Sequence, residues 1–203
     1  MILDNYLKFF FGEEGSFKSV GSIKPSSENL ARKLVDYSDL GSSRGIIQCG
    51  TGTGVVTQEI ISNKPECTQF LGVEIDSRLV RKTLDNVCLA ERDYVLQGDA
   101  SDLLEIADSL DLEYVDRVIS TLPMTLFSPN QQEKIMGSAY NCLADDGIFT
   151  AFYYPFTRAI PGRSRTLRNF EELVEDRFEG VVYSDVVWRN VPPARVISGR
   201  YKR

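Results

Sequence analysis

Histidine is absent from all 203 residues. Its absence removes the commonest general base at neutral pH and the commonest transition-metal ligand. Cysteine is scarce, and Cys49, Cys67, Cys88 and Cys142 show no ligand spacing. Three of the four sit in or beside apolar runs, so reduced core thiols are expected rather than disulfides, and no metal is expected. No run approaches the roughly 18 consecutive apolar residues of a spanning helix, and the opening residues do not read as a signal peptide. A cytoplasmic location is the expectation. A basic excess is lacking too: the net charge is −6, which argues against a general nucleic-acid binder. The charge is uneven, however. Residues 1–150 carry 13 basic and 23 acidic side chains, whereas residues 151–203 carry 10 and 6.

What is present fits one domain, with 42% hydrophobic residues to fill its core. Short β-branched runs predict strands at Gly45–Cys49, Gln69–Glu74, Tyr94–Gln97, Val115–Ser120 and Ile148–Tyr153. Helical patterns between them predict helices at Val55–Ser62, Arg78–Ala90, Ser101–Ala107 and Gln131–Leu143. That alternation implies βαβ units and a mainly parallel sheet, an α/β fold. The end differs: "GVVYSDVVWRN" and "ARVISGRYK", separated by Val191, Pro192 and Pro193, predict an antiparallel hairpin. Residues 1–40 read as a helical arm before a catalytic domain at 41–203. Its first stripe, Ile2, Leu3, Tyr6, Leu7 and Phe10, suits a bilayer interface or a lid. A second helix begins near Pro25, with Ser26 or Ser27 as its cap.

The motif "QCGTGTG" places Gly50, Gly52 and Gly54 between a strand and a helix, where glycine permits a tight turn and close approach of a ligand. Alone, such a turn suits either a nicotinamide cofactor or S-adenosylmethionine (SAM). Glu74, ending the second strand twenty residues later, can accept from both ribose hydroxyls. Asp99, ending the third strand, can accept from the adenine amine, which the dinucleotide fingerprint does not require. "VISTLP" then ends the fourth strand.

Together these residues resemble the seven-stranded, Rossmann-like class I SAM-dependent methyltransferases. The short glycine spacing agrees, because a sulfonium has no pyrophosphate to cradle. The cofactor site that the resemblance implies comprises Gln48, Gly50, Gly52, Gly54, Glu74 and Ile75, with Asp99, Ala100 and Ser120. Gln48 stands where the family has an acidic residue that orients the methionine end of SAM. Glutamine lacks that charge, and the expected cost is about 1–2 kcal/mol of SAM affinity.

"VGSIKPSSENLAR", "STLPM" and "VWRNVPPARV" resemble the bacterial phospholipid N-methyltransferases, which convert phosphatidylethanolamine to phosphatidylcholine, over about Val20 to Arg200. That family is similar to the ribosomal RNA adenine dimethylases. The resemblance implies SAM-dependent methylation of an aminophospholipid amine at a membrane surface, with a peripheral position on the inner face of the cell membrane. Ser120, the Leu122 carbonyl and Tyr154 would orient the amine. Ser26, Pro123, Tyr153, Arg163 and Arg189 would bind the substrate, the arginines through its phosphate. "AFYYPF" lacks the family's glutamine and carries Ala151, so a related amine is the other candidate acceptor. Methylation of RNA adenine N6 is a second reading, opposed by Ser120 where those enzymes place Asn or Asp. A catalytically silent SAM- or lipid-binding module is a third.

Overall fold

A computed structural model describes residues 26–112, 114–160 and 163–202. The expected helix over the first eighteen residues lies outside them. The chain opens on helix α1 (Glu28–Ser38) and strand β1 (Gly45–Cys49). Then come α2 (Val55–Asn63), β2 (Gln69–Glu74), α3 (Ser77–Asn86) and β3 (Asp93–Gln97). The second half runs α4 (Leu103–Asp108), β4 (Val115–Ser120), α5 (Pro129–Cys142) and β5 (Leu143–Tyr153). It closes with α6 (Arg163–Arg177), β6 (Phe178–Tyr183) and β7 (Arg195–Tyr201). The seven strands are ordered β3-β2-β1-β4-β5-β7-β6, with β7 antiparallel to both neighbours.

Period-two alternation along the strands feeds two apolar layers. Ile46, Phe70, Phe152 and Val196 face Leu30 and Leu34 of α1 and Ile60 of α2. Ile47, Leu71, Phe149 and Ile197 face Leu103, Met136 and Phe170 of α4, α5 and α6. Ser27 is the cap of α1, its hydroxyl accepting the Leu30 N–H at 3.2 Å. Ser128 opens α5 with a reciprocal capping box to Gln131.

The sheet, its parallel strands and its antiparallel end match the sequence reading. Three details differ. Helix α6 follows β5, where the sequence reading placed Arg163 as a phosphate contact and predicted no helix; its narrow apolar stripe is Leu167, Phe170, Leu173 and Val174. The closing hairpin is shorter, since β6 stops at Tyr183 and "WRN" forms a turn. Pro192 and Pro193 offer no N–H there, so only the isolated bridge Val187↔Ala194 extends the pairing. Cys49 is buried, but Cys67 and Cys88 are exposed, so the core-thiol expectation fails for those two. Burial pushes the Cys49 thiol up to about 12, which keeps it neutral and unreactive.

Candidate functional site

The first five strands end at one edge of the sheet, and β1 lies between β2 and β4. Successive crossovers diverge at that point and open a crevice. A cavity of about 650 Å³ occupies it.

The glycine turn forms its floor. Gly50 adopts φ +81° and packs against Leu122, whose Cδ2 would lie 2.7 Å from any Cβ added there. Gly52, at φ +60°, has nothing within 4 Å of such a Cβ, so its missing side chain leaves open space. A side chain at Gly52 would be strained and would occupy the cavity. Helix α3 braces the turn from outside: the Thr83 hydroxyl donates to the Gly52 carbonyl at 3.2 Å and Asn86 Nδ2 to the Thr53 carbonyl at 2.9 Å.

Glu74 is 5% exposed and lines the cavity. Its Oε2 accepts the Gly52 N–H at 2.9 Å, and its Oε1 accepts the Asp76 N–H at 3.1 Å. One lone pair on each oxygen is left for a diol. Beside it Ile75 is 56% exposed, an apolar surface at a cavity wall. Asp99 caps the short helical turn that follows β3, accepting the Ser101 N–H at 2.9 Å. Ala100 and Ser101 complete that wall.

Gln48 lies outside the cavity lining and is fully buried. Its Oε1 accepts the Thr57 hydroxyl at 2.8 Å, and its Nε2 donates to the Gly50 carbonyl at 3.4 Å. The Thr121 hydroxyl donates to the same carbonyl. Gln48 therefore ties β1 and α2 to the turn from beneath, whereas the sequence reading aimed it at the cofactor. Gln48→Glu would set a carboxylate oxygen against the Gly50 carbonyl. The variant should lose about 1–3 kcal/mol of stability and bind SAM no more tightly, as read by urea titration and calorimetry. Tighter binding with unchanged stability would overturn this role.

The opposite wall comes from β4 and β5. Leu122 and Pro123 line the cavity, while Ser120, 1% exposed, sits behind them with its hydroxyl 3.4 Å from the Leu122 N–H. The Leu122 carbonyl already accepts the Met124 N–H at 2.8 Å, leaving one lone pair. Strand alternation separates the two tyrosines. Tyr154 lines the cavity with Phe152, their rings edge to face at 5.4 Å. Tyr153 turns to the other layer and packs edge-on against Phe170. Burial pushes the Tyr154 phenol up to about 12, so it stays protonated through the physiological range.

Ser26 lines the cavity. Arg163 and Arg189 do not: Arg163 Nη1 donates to the Leu126 carbonyl at 3.0 Å, and Arg189 is exposed on the "WRN" turn. The buried member of that turn is Asn190, whose Oδ1 accepts the Ser27 N–H at 2.9 Å and whose Nδ2 donates to the Pro192 carbonyl at 2.6 Å. Ser27 and Asn190, 163 residues apart, thus meet beside the cavity. Sequence reasoning passed over Asn190, Thr51, Phe152 and two lining lysines, Lys82 and Lys134. Only Phe152 had a signal, its spacing of two from Tyr154. Among the described residues, no group of three or more histidine, cysteine, aspartate or glutamate side chains is placed to hold a metal ion, and no helix is long and apolar enough to cross a membrane.

No family model matches the chain. It is 29% identical to an ornithine lipid N-methyltransferase of Singulisphaera acidiphila over 93% of its length and 94% of that protein's. It is 26% identical to ribosomal RNA small subunit methyltransferase A of Enterococcus faecalis over 55% of its length, but spans only 38% of that protein. A human N-acetylserotonin methyltransferase in complex with SAM superposes with a TM-score of 0.61 at 12% identity, covering 85% of this chain and 52% of that one. The residues fit SAM: an open glycine floor, a buried carboxylate for a diol, and an exposed apolar side chain for a flat base. The chain is a SAM-dependent methyltransferase with the Rossmann-like class I fold, similar over nearly its whole length to a lipid N-methyltransferase.

Proposed function

We propose that the enzyme methylates the amine of a lipid head group, with aminophospholipids such as phosphatidylethanolamine as the substrate class. The observation that carries this reading is the cavity's far wall. Phe152, Tyr154 and Leu122 line the same cavity, and aromatic rings there suit an alkyl amine that gains positive charge as it is methylated. The full-length similarity to a lipid N-methyltransferase supports it. Peripheral binding to the inner face of the cell membrane follows from such a substrate.

In this reading Glu74 would hold the ribose hydroxyls, and Ile75, Asp99 and Ala100 would hold the adenine, Asp99 by accepting from its amine. When bound, SAM supplies an electrophilic methyl group and leaves as S-adenosylhomocysteine. The chain's own contribution is alignment, since an in-line displacement gains most from holding the reacting atoms in register. The Leu122 carbonyl accepts one amine N–H, and the Tyr154 hydroxyl fixes the direction of the nitrogen. With no histidine in the sequence and Tyr154 held protonated, the amine sheds its proton to water before attack. Ser120 acts indirectly, through the backbone that carries Leu122.

Similarity to the ribosomal RNA methyltransferases over 55% of the chain favours adenine in RNA as a second reading. The protein should be incubated with methyl-labelled SAM and, in separate reactions, phosphatidylethanolamine dispersed in detergent, ornithine lipid and ribosomal RNA. Label in extracted lipid is the expected result. Label in RNA alone supports the second reading, and SAM binding without transfer to any of them points to a silent module.

A further inference from the structure

The sequence holds a single tryptophan, and Trp188 is 76% exposed, more than any other large apolar side chain among the described residues. The turn that carries it is firmly held. The Val187 N–H donates to the Ala194 carbonyl at 2.7 Å, and the Asn190 N–H to the Val187 carbonyl at 3.2 Å. Asn190 further clasps Pro192 and Ser27. Val187 and Asn190 are buried while Trp188 and Arg189 between them are exposed. The fold fixes both shoulders and presents the pair outward.

Topology sets where they point. Strand β7 is antiparallel to β5 and to β6, so β6 ends at the same edge as β5, and that edge holds the cavity. Ser27, bonded to this turn, follows the cavity-lining Ser26. Helix α6 also begins at that edge, its Arg163 bonded to Leu126 just beyond β4 and its Arg165 exposed.

We propose that the Trp188–Arg189 turn docks the mouth of the cavity on a lipid surface. An indole is best placed at the boundary between head groups and acyl chains, where its ring is apolar and its N–H stays wet. Charge argues for the same occupant: Arg189 and Arg165 meet lipid phosphates, within a segment carrying 10 basic against 6 acidic residues in a chain of net −6. Docking at the mouth brings the head group into the cavity while the acyl chains stay in the bilayer. The proposal rests on the lipid-acceptor reading.

As the chain's only tryptophan, Trp188 reports on itself. The full chain is titrated with vesicles of equal parts phosphatidylcholine and phosphatidylglycerol, following tryptophan emission and its quenching by iodide. The expected result is a blue shift and loss of quenching on vesicle addition. Trp188→Ala should lower sedimentation with vesicles about tenfold, and Trp188→Tyr should restore most of it. The ratio of methylation on phosphatidylethanolamine vesicles to methylation of a short-chain monomeric analogue should fall in parallel. Emission that vesicles leave unshifted overturns the proposal. Emission already shielded before vesicles are added overturns it as well, in favour of cover by the segment preceding Ser26 or by a protein. Failure of the lipid-acceptor reading shows separately, as no label in any lipid from the wild-type enzyme in detergent.

Discussion

Replacing Glu74 with alanine should weaken SAM binding by at least about 100-fold. Its carboxylate does two things at once. It accepts the N–H groups of Gly52 and Asp76 at 2.9 and 3.1 Å, which holds the glycine turn against the end of β2. In the proposed cofactor site it would also offer its remaining lone pairs to the ribose diol. Hydrogen bonds to an ionised acceptor contribute roughly 1.5–3 kcal/mol each, so losing two from the complex accounts for the expected factor. Glu74→Gln should cost less, about tenfold, because one carbonyl acceptor survives while the amide's N–H now faces a backbone donor. Calorimetric titration of both variants checks this, with thermal melts to confirm that each is folded. A folded Glu74→Ala protein that binds SAM as tightly as wild type would exclude Glu74 from the cofactor site.

The same residue shows how far the sequence could be read. Strand ends were legible because turn residues and β-branched runs mark them, and Gly45–Cys49, Gln69–Glu74 and Val115–Ser120 fall where the pattern puts them. That Glu74 and Asp99 line the cavity was legible because a parallel sheet delivers its strand-ending residues to one edge. Contacts without a local pattern were not. Helix α6 hid behind its charge: only Leu167, Phe170, Leu173 and Val174 are buried, so its arginines drew attention as a phosphate site. Tyr154 was expected to orient the amine and Tyr153 to bind the substrate, but strand alternation sends them to opposite faces. Gln48 was aimed at the ligand because the family's carboxylate points there, yet Thr57, nine residues on, takes its carbonyl. The clasp of Asn190 on Ser27 spans 163 residues, beyond the reach of any periodicity.

Tyr154→Phe should lower kcat by about 10- to 100-fold while leaving SAM affinity and the shape of the pH profile unchanged. The variant keeps the ring, so its packing against Phe152 at 5.4 Å and Phe156 at 5.7 Å survives. Only the hydroxyl, proposed to direct the nitrogen, is lost. The pH behaviour separates orientation from base catalysis. Burial raises the phenol to about 12, so near neutral pH it is protonated in almost every molecule and cannot take the amine's proton. A free alkyl amine such as lysine titrates near about 10.4, so the unprotonated acceptor increases about tenfold per pH unit below that value. With chemistry limiting, kcat/KM for the lipid should rise with that slope from about pH 7 to pH 9 in wild type and Tyr154→Phe alike. A required phenolate base would behave differently, because its own titration would steepen the wild-type rise to about a hundredfold per pH unit and its removal would return it to about tenfold. Equal kcat in the two proteins would deny Tyr154 any part in placing the amine, and a rise that is steeper in wild type than in Tyr154→Phe would make it the base.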